Sequence, residues 1–271
     1  MSLPFEELAD GVFRRRYPSL DLNVGVVLGG DGVVVIDTRA SHSEGDELAR
    51  ELQGLTRLPV RWVINTHWHW DHVFGNAAFA GAEVWGHVVN PSRMIDGHEE
   101  AKADAVAWLG EQVRADVDAV EVVVPSVLVS TQAALDTGGR TVAMAWLGRG
   151  HTDGDLVVAV VGTDVVFAGD LIEEGGPPNY GDSYPFAWPS TVAAMTDRFG
   201  GRFVPGHGEV MDVVAVTAQG DELAAVAEAC RRAVGAGLAT APNGPYPQDT
   251  MQAAFRRAVL EHSQAAPDAI A

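Results

Sequence analysis

Thr66-His67-Trp68-His69-Trp70-Asp71-His72 sets three imidazoles and a carboxylate within six positions, directly after the apolar run Val60-Arg61-Trp62-Val63-Ile64. That run, bounded by Pro59 and Asn65, reads as a buried strand. His67 and His69 are two apart, so in an extended or gently turning segment their rings project to one side and can grip one cation. Asp71 and His72 follow where the chain must turn into the next helix, and they offer an oxygen and a nitrogen to a second cation beside the first. Imidazole plus carboxylate without thiolate suits Zn, Fe(II) or Mn(II). Gathering so many polar groups at the end of a buried strand without a cation would be costly.

Three later segments extend the pattern: Gly150-His151-Thr152-Asp153-Gly154-Asp155, then Phe167-Ala168-Gly169-Asp170 at the end of an apolar strand, then Pro205-Gly206-His207-Gly208. With them the chain resembles the metallo-β-lactamase superfamily, whose signature is His-x-His-x-Asp-His and whose remaining ligands follow in this order. The resemblance implies an α+β fold, a four-layer αββα sandwich. It implies two divalent metal ions, zinc foremost with iron and manganese also compatible. His67, His69 and His151 would hold the first, Asp71, His72 and His207 the second, and Asp170 would bridge them. The family's early aspartate, which braces the site from behind, would be Asp37, closing the strand Val33-Val34-Val35-Ile36.

The implied activity is hydrolysis of a small ester, lactone, thioester or amide by a hydroxide held between the two ions, with Asp71 also orienting the attacking water. Such a site needs no serine or cysteine nucleophile. Two other readings share the motifs: a mononuclear iron oxidoreductase like the persulfide dioxygenases, and a β-lactamase proper. Gly150, Gly169, Gly206 and Gly208 flank the distant ligands, where a chain leaving a strand must turn sharply and often needs positive φ. Asp153 and Asp155 read as turn formers or braces. His42, His87, His98 and His262 read as ordinary structural or solvated histidines.

A chain of 271 residues with 47% hydrophobic content can bury a sizeable core, and no linker divides it, so residues 1–271 are expected to form one domain. One cysteine, Cys230, excludes a disulfide framework and sits in a helical stretch as a small apolar residue. Met1 to Ala9 lacks the pattern of a secretory signal and no apolar run reaches membrane-spanning length, which points to the cytoplasm. A net charge of -19 repels phosphate backbones. The expected partners are therefore a small-molecule substrate and, at most, a second copy in a homodimer, with neither nucleic acid nor membrane.

Strands are expected near Gly11 to Arg16, Leu22 to Leu28, Gly32 to Asp37 and Ala82 to Trp85, and in the second half near Gln132 to Leu135, Thr141 to Leu147, Leu156 to Val161 and Val165 to Ala168. Helices are expected from about Glu44 to Gln53, with Ser41 and Glu44 spaced as a capping box, and over Glu99 to Val117, Asp212 to Val234 and Thr250 to His262. Residues Ala265 to Ala271 are expected to fray.

Glu173 to Pro185 follows Asp170 closely enough to form a pocket wall, and it carries acids and tyrosines but no Lys or Arg. β-Lactamases of this superfamily generally place a cation near the corresponding position to hold the drug's carboxylate. The absence of one here favours neutral or weakly cationic acyl substrates, with Arg149 as the one nearby residue able to supply the missing charge. Tyr180 and Tyr184 read as packed anchors first and as hydrogen-bond donors to a reacting oxygen second, and core packing is expected for at least one of Trp68 and Trp70, with the other free to line the pocket.

Overall fold

The structure, a computed structural model, describes residues 5–265; the first four residues and the expected frayed end from residue 266 lie outside them. Two sheets are built in chain order. The first has seven strands, β1 (Glu6–Ala9), β2 (Val12–Tyr17), β3 (Leu22–Leu28), β4 (Val33–Ile36), β5 (Val60–Ile64), β6 (Glu83–His87) and β7 (Val127–Val129), lying side by side in that order. Strands β1 to β4 form an antiparallel meander, and β4 to β7 run parallel. Parallel neighbours need crossovers. These carry α1 (His42–Leu55), α2 (Trp70–Val73), α3 (Asn90–Asp96), α4 (His98–Leu109) and α5 (Arg114–Asp118).

The second sheet has β8 (Gln132–Asp136), β9 (Thr141–Trp146), β10 (Leu156–Val160), β11 (Val165–Gly169), β12 (Arg202–Pro205) and β13 (Met211–Asp212), again in sequential order. Only β11 and β12 are parallel, joined through α6 (Trp188–Arg198). Two helices follow, α7 (Val213–Gly235) and α8 (Gln248–Ala265). No helix among the described residues is long and apolar enough to cross a membrane.

The alternation of strand side chains explains the layers. In β4, Val34 and Ile36 face the second sheet and meet Met144, Val158 and Phe167 in a core between the sheets. Val33 and Val35 face the other way and pack under Leu48 and Leu52 of α1. In β10, Leu156, Val158 and Val160 enter the inner core, while Val157 and Ala159 join Trp188, Met195, Leu223 and Phe255 beneath α6, α7 and α8. Strands buried on both faces read as unbroken apolar runs, which is why they were legible. The architecture is the expected αββα sandwich.

One expected helix is broken. The span from Glu99 to Val117 divides at Gly110, which sits at φ 96° and ends α4; a short 3-10 turn and α5 follow. Left-handed backbone at glycine terminates a helix whatever the periodicity beyond it. The capping box forms with a shift: Ser41 Oγ accepts from the Glu44 amide at 3.3 Å, while Glu44 accepts from Ala40 rather than Ser41. Cys230 is buried in α7 as expected.

Candidate metal centre

The four polar segments and Asp37 all leave the sandwich along one rim. Asp37 follows β4, His67 to His69 follow β5 and lead into α2, which carries Asp71 and His72, the His151 turn links β9 to β10, Asp170 follows β11, and His207 follows β12. Ligand-binding crevices of parallel strands lie outside their carboxyl ends, because the chain turns there and the sheet core cannot absorb polar groups. The rim brings the seven expected residues together as two adjacent groups able to hold metal ions, His67, His69, His151 and Asp170 in one, and Asp71, His72 and His207 in the other. Asp170 also reaches the second group. Its Oδ2 lies 3.4 Å from His151 Nε2, 3.7 Å from His67 Nε2 and 3.5 Å from His207 Nε2, while Oδ1 is 3.2 Å from His72 Nε2. Asp71 Oδ2 is 3.2 Å from His207 Nε2.

The outward nitrogens of four rings are held by acceptors, and this decides where the ring protons sit. A carboxylate accepts only, so His72 Nδ1, 2.9 Å from Asp37 Oδ2, carries the proton. His69 Nε2 is bound by Asp182 Oδ2 at 3.2 Å, and His207 Nδ1 by the Leu20 carbonyl at 2.7 Å. Thr66 donates its hydroxyl to Asp37 Oδ2 at 2.8 Å, leaving its oxygen to accept from His67 Nδ1 at 3.1 Å. Each of these rings, when neutral, therefore turns a lone pair inward. His151 is the exception, with a buried Nδ1 that lacks a partner among the described residues. Inside the cluster His151 Nε2 stands 2.8 Å from His69 Nδ1, and His67 Nε2 and Asp170 Oδ1 are buried without hydrogen bonds. Converging lone pairs and orphaned buried acceptors fit divalent cations, and the nitrogen and oxygen donors suit zinc, iron or manganese.

The field in the cluster points the same way. For His72 and His207 burial works against charge, yet Asp170 and Asp71 outweigh it and push both imidazoles well above their usual range. Burial, reinforced by His72, holds His67 well below it, and burial takes His151 down to about 3. Asp170 is buried, but His72, His207 and His67 hold its carboxyl well below the usual range.

Backbone geometry supports the placements. Asp37 sits at φ 63°, and its carboxylate also accepts from the Thr66 amide at 2.8 Å. Leu20 and Asp21 are left-handed at φ 61° and 55°, which aims the Leu20 carbonyl at His207. Asn23 donates to the carbonyls of Pro205 and Gly208 and clamps the same turn from the first sheet. Of the four glycines beside the distant ligands, Gly169 and Gly208 adopt positive φ. Gly206 is required for space instead, since a Cβ there would run into Asp170 Oδ1.

Several bystanders take the structural roles expected of them. Asp155 is buried against the Thr152 amide and hydroxyl, Asp153 pairs with Arg93, and His87 is buried and stacks on Trp146. Trp68 and Trp70 both pack against the Val73 and Met94 cluster. Tyr180 is buried against Trp188, and Tyr184 lies under the exposed Arg149 guanidinium at 4.9 Å. Thr66, Leu20, Asn23 and Asp182 carry roles that the sequence did not reveal. Leu20 acts through its carbonyl, and Asp182 and Asn23 meet their partners only across the fold.

The sequence model of the Metallo-beta-lactamase superfamily matches residues 20–224. Among curated proteins, a "Metallo-beta-lactamase type 2" of Bacillus sp. (strain 170) is 24% identical over 197 residues, 69% of this chain and 67% of that protein. A "2,4-dinitroanisole O-demethylase subunit alpha" of Nocardioides sp. (strain JS1661) is 23% identical over 207 residues, 74% of this chain and 54% of that protein. Among solved structures, a metallo-beta-lactamase from Pontibacter korlensis superposes with a TM-score of 0.64 at 21% identity, covering 82% of this chain and 99% of that one. One from Hirschia baltica gives 0.62 at 18%, covering 80% and 95%.

Proposed function

Since the chain belongs to the metallo-beta-lactamase superfamily and is a metal-dependent hydrolase, we propose that it cleaves a small ester, lactone, thioester or amide with two zinc ions, His67, His69 and His151 holding one, Asp71, His72 and His207 the other, and Asp170 between them. The observation that carries this is the reach of the Asp170 carboxylate into both groups. When bound, such ions supply an acidified water and Lewis acidity toward a scissile carbonyl. Asp71 accepts a hydrogen bond from the attacking water and orients it. Asp37, through Thr66 and His72, keeps imidazole protons out of the site. The same reading takes the chain as one cytoplasmic domain with a small-molecule partner.

The pocket wall supports a preference for neutral or weakly cationic substrates. Glu173 is fixed by α7: its amide donates to Gln219 Oε1 at 3.0 Å and its carbonyl accepts from Gln219 Nε2 at 2.6 Å. Burial and the neighbouring Asp170 push its carboxyl up to about 8, so near neutral pH it adds little negative charge, and the support comes from the lack of a Lys or Arg bonded to it among the described residues. Arg149 lies over Tyr184.

A panel of chromogenic esters, lactones, thioesters, amides and β-lactams, with elemental analysis of the same preparation, tests the reading. Turnover of a neutral acyl substrate, lost on chelation and restored by zinc, is expected, with a higher kcat/KM for a neutral lactone than for a carboxylate-bearing β-lactam. A β-lactam preference that Arg149→Ala abolishes would reverse the charge assignment. Oxygen consumption with glutathione persulfide, and no acyl hydrolysis, would replace hydrolysis with oxidation.

A further inference from the structure

We infer that the C-terminal helix α8 is a working part of the metal centre, in which Arg257 holds the Asp182 carboxylate against His69 and thereby sets the ring with which His69 faces its cation. The inference rests on the metal reading above but concerns residues beyond it, since α8 lies entirely outside the stretch 20–224 that the family model matches.

The helix is anchored by one face and works with the other. Met251, Ala254, Phe255 and Ala258 are buried beneath the second sheet. Arg257 and Glu261, four residues apart and hence on one side of the helix, both reach the stretch 182–186 that follows Asp170. Arg257 Nε donates to the Ser183 carbonyl and Nη2 to the Asp182 carbonyl, each at 2.9 Å. Glu261 Oε2 accepts from the Phe186 amide at 2.8 Å. Within the loop Ser183 is fully buried, and the Tyr184 amide donates to the Gly150 carbonyl at 2.9 Å, next to His151.

Asp182 is the loop's contact with the cluster. Its side chain is 51% exposed, and among the described residues its carboxylate has a single side-chain partner, His69 Nε2. A half-exposed carboxylate beside an imidazole is readily released to water, so its position depends on how firmly its backbone is held. The forked guanidinium spans two successive carbonyls, which one ammonium could not match. With the Asp182 carboxylate in place the proton stays on His69 Nε2 and the Nδ1 lone pair faces His151; without it either tautomer is open. Asp182 and Arg257 are thus positioning residues, and neither touches the reacting atoms.

The test is metal affinity of the full-length protein, read by competition of Zn(II) with a fluorescent chelator and by the visible spectrum of the Co(II) form. Partners that orient a metal-bound histidine are worth about 10–100-fold in affinity. Asp182→Ala is expected to weaken one of two zinc equivalents by about that range and to alter the Co(II) spectrum, and Arg257→Ala by about tenfold. Arg257→Lys should recover part of the loss. The double variant should bind no more weakly than Asp182→Ala alone, because both act on one hydrogen bond. Additive losses, or unchanged affinity and spectrum in Asp182→Ala, would overturn the inference. Asp182→Asn keeps the question decidable if Arg257→Ala does not fold. Wild-type protein that takes up no metal would remove the metal reading itself, whereas two tightly held zinc ions in every variant would remove only the role of α8.

Discussion

Replacing Asp37 with Asn changes almost no volume and should nevertheless disturb both metal groups. Oδ2 of Asp37 accepts from Thr66 Oγ1 and from His72 Nδ1, while Oδ1 accepts from the Thr66 amide. Asparagine retains an acceptor for the amide and tolerates the backbone at φ 63°. Its NH2 group then faces two atoms that expect an acceptor. To restore hydrogen bonding, His72 must move its proton to Nε2, and Thr66 must turn its hydroxyl toward His67 Nδ1, which sends the His67 proton to Nε2 as well. Both protons now point into the site, one in each group. Loss of such an outer partner costs about 10–100-fold in metal affinity, or roughly 1.4–2.7 kcal/mol. The metal-free fold should lose only about 1–2 kcal/mol, the difference between charge-assisted and neutral hydrogen bonds. Zinc competition titrations give the affinity, ring-nitrogen NMR shifts of the zinc-loaded protein identify the protonated nitrogens, and urea unfolding of the metal-free protein gives the stability. A folded Asp37→Asn protein that binds two zinc ions with wild-type affinity would refute the proton placement.

Asp170→Ala should leave a protein that holds at most one metal equivalent, since the residue reaches both groups; two retained equivalents by elemental analysis would show that it bridges nothing. Gly206→Ala should displace the Asp170 carboxylate and lower metal content and activity together, while wild-type values for both would contradict the close packing of that turn. The metal-free protein should lose stability as pH rises above about 6.5. The folded pKa values of His72, His207, Asp155 (about 7) and Glu173 (about 8) are all raised, so their stabilising protons are held at low pH and lost as pH climbs through those values. His67 and His151 are depressed and contribute no slope above 6.5. Each buried raised histidine adds at most about 1.4 kcal/mol per pH unit. Urea unfolding at pH 6.5 and 8.5 measures the loss, zinc should reduce it, and greater metal-free stability at 8.5 would show the sign to be wrong.

The sequence by itself determined the apolar strands and marked the seven residues that the fold gathers, because both are written locally, while the layering and the pairing with metals were read from the family resemblance. Strands buried on two faces must be apolar throughout, and a polar cluster can follow such a strand only where it leaves the sheet, so His67 to His72, Asp170 and His207 were legible as strand ends. Tertiary structure alone decided what holds those residues in register. The Leu20 carbonyl on His207, Asp182 on His69 and the fork of Arg257 on the loop after Asp170 join positions between 75 and 187 residues apart. No local pattern marks them, because each is a hydrogen bond whose partner is chosen by the packing of the sheets and helices. The break at Gly110 and the division of the four glycines into two that need positive φ and two that do not have the same origin. Composition names a glycine, but only the surrounding backbone and side chains set which conformation it takes.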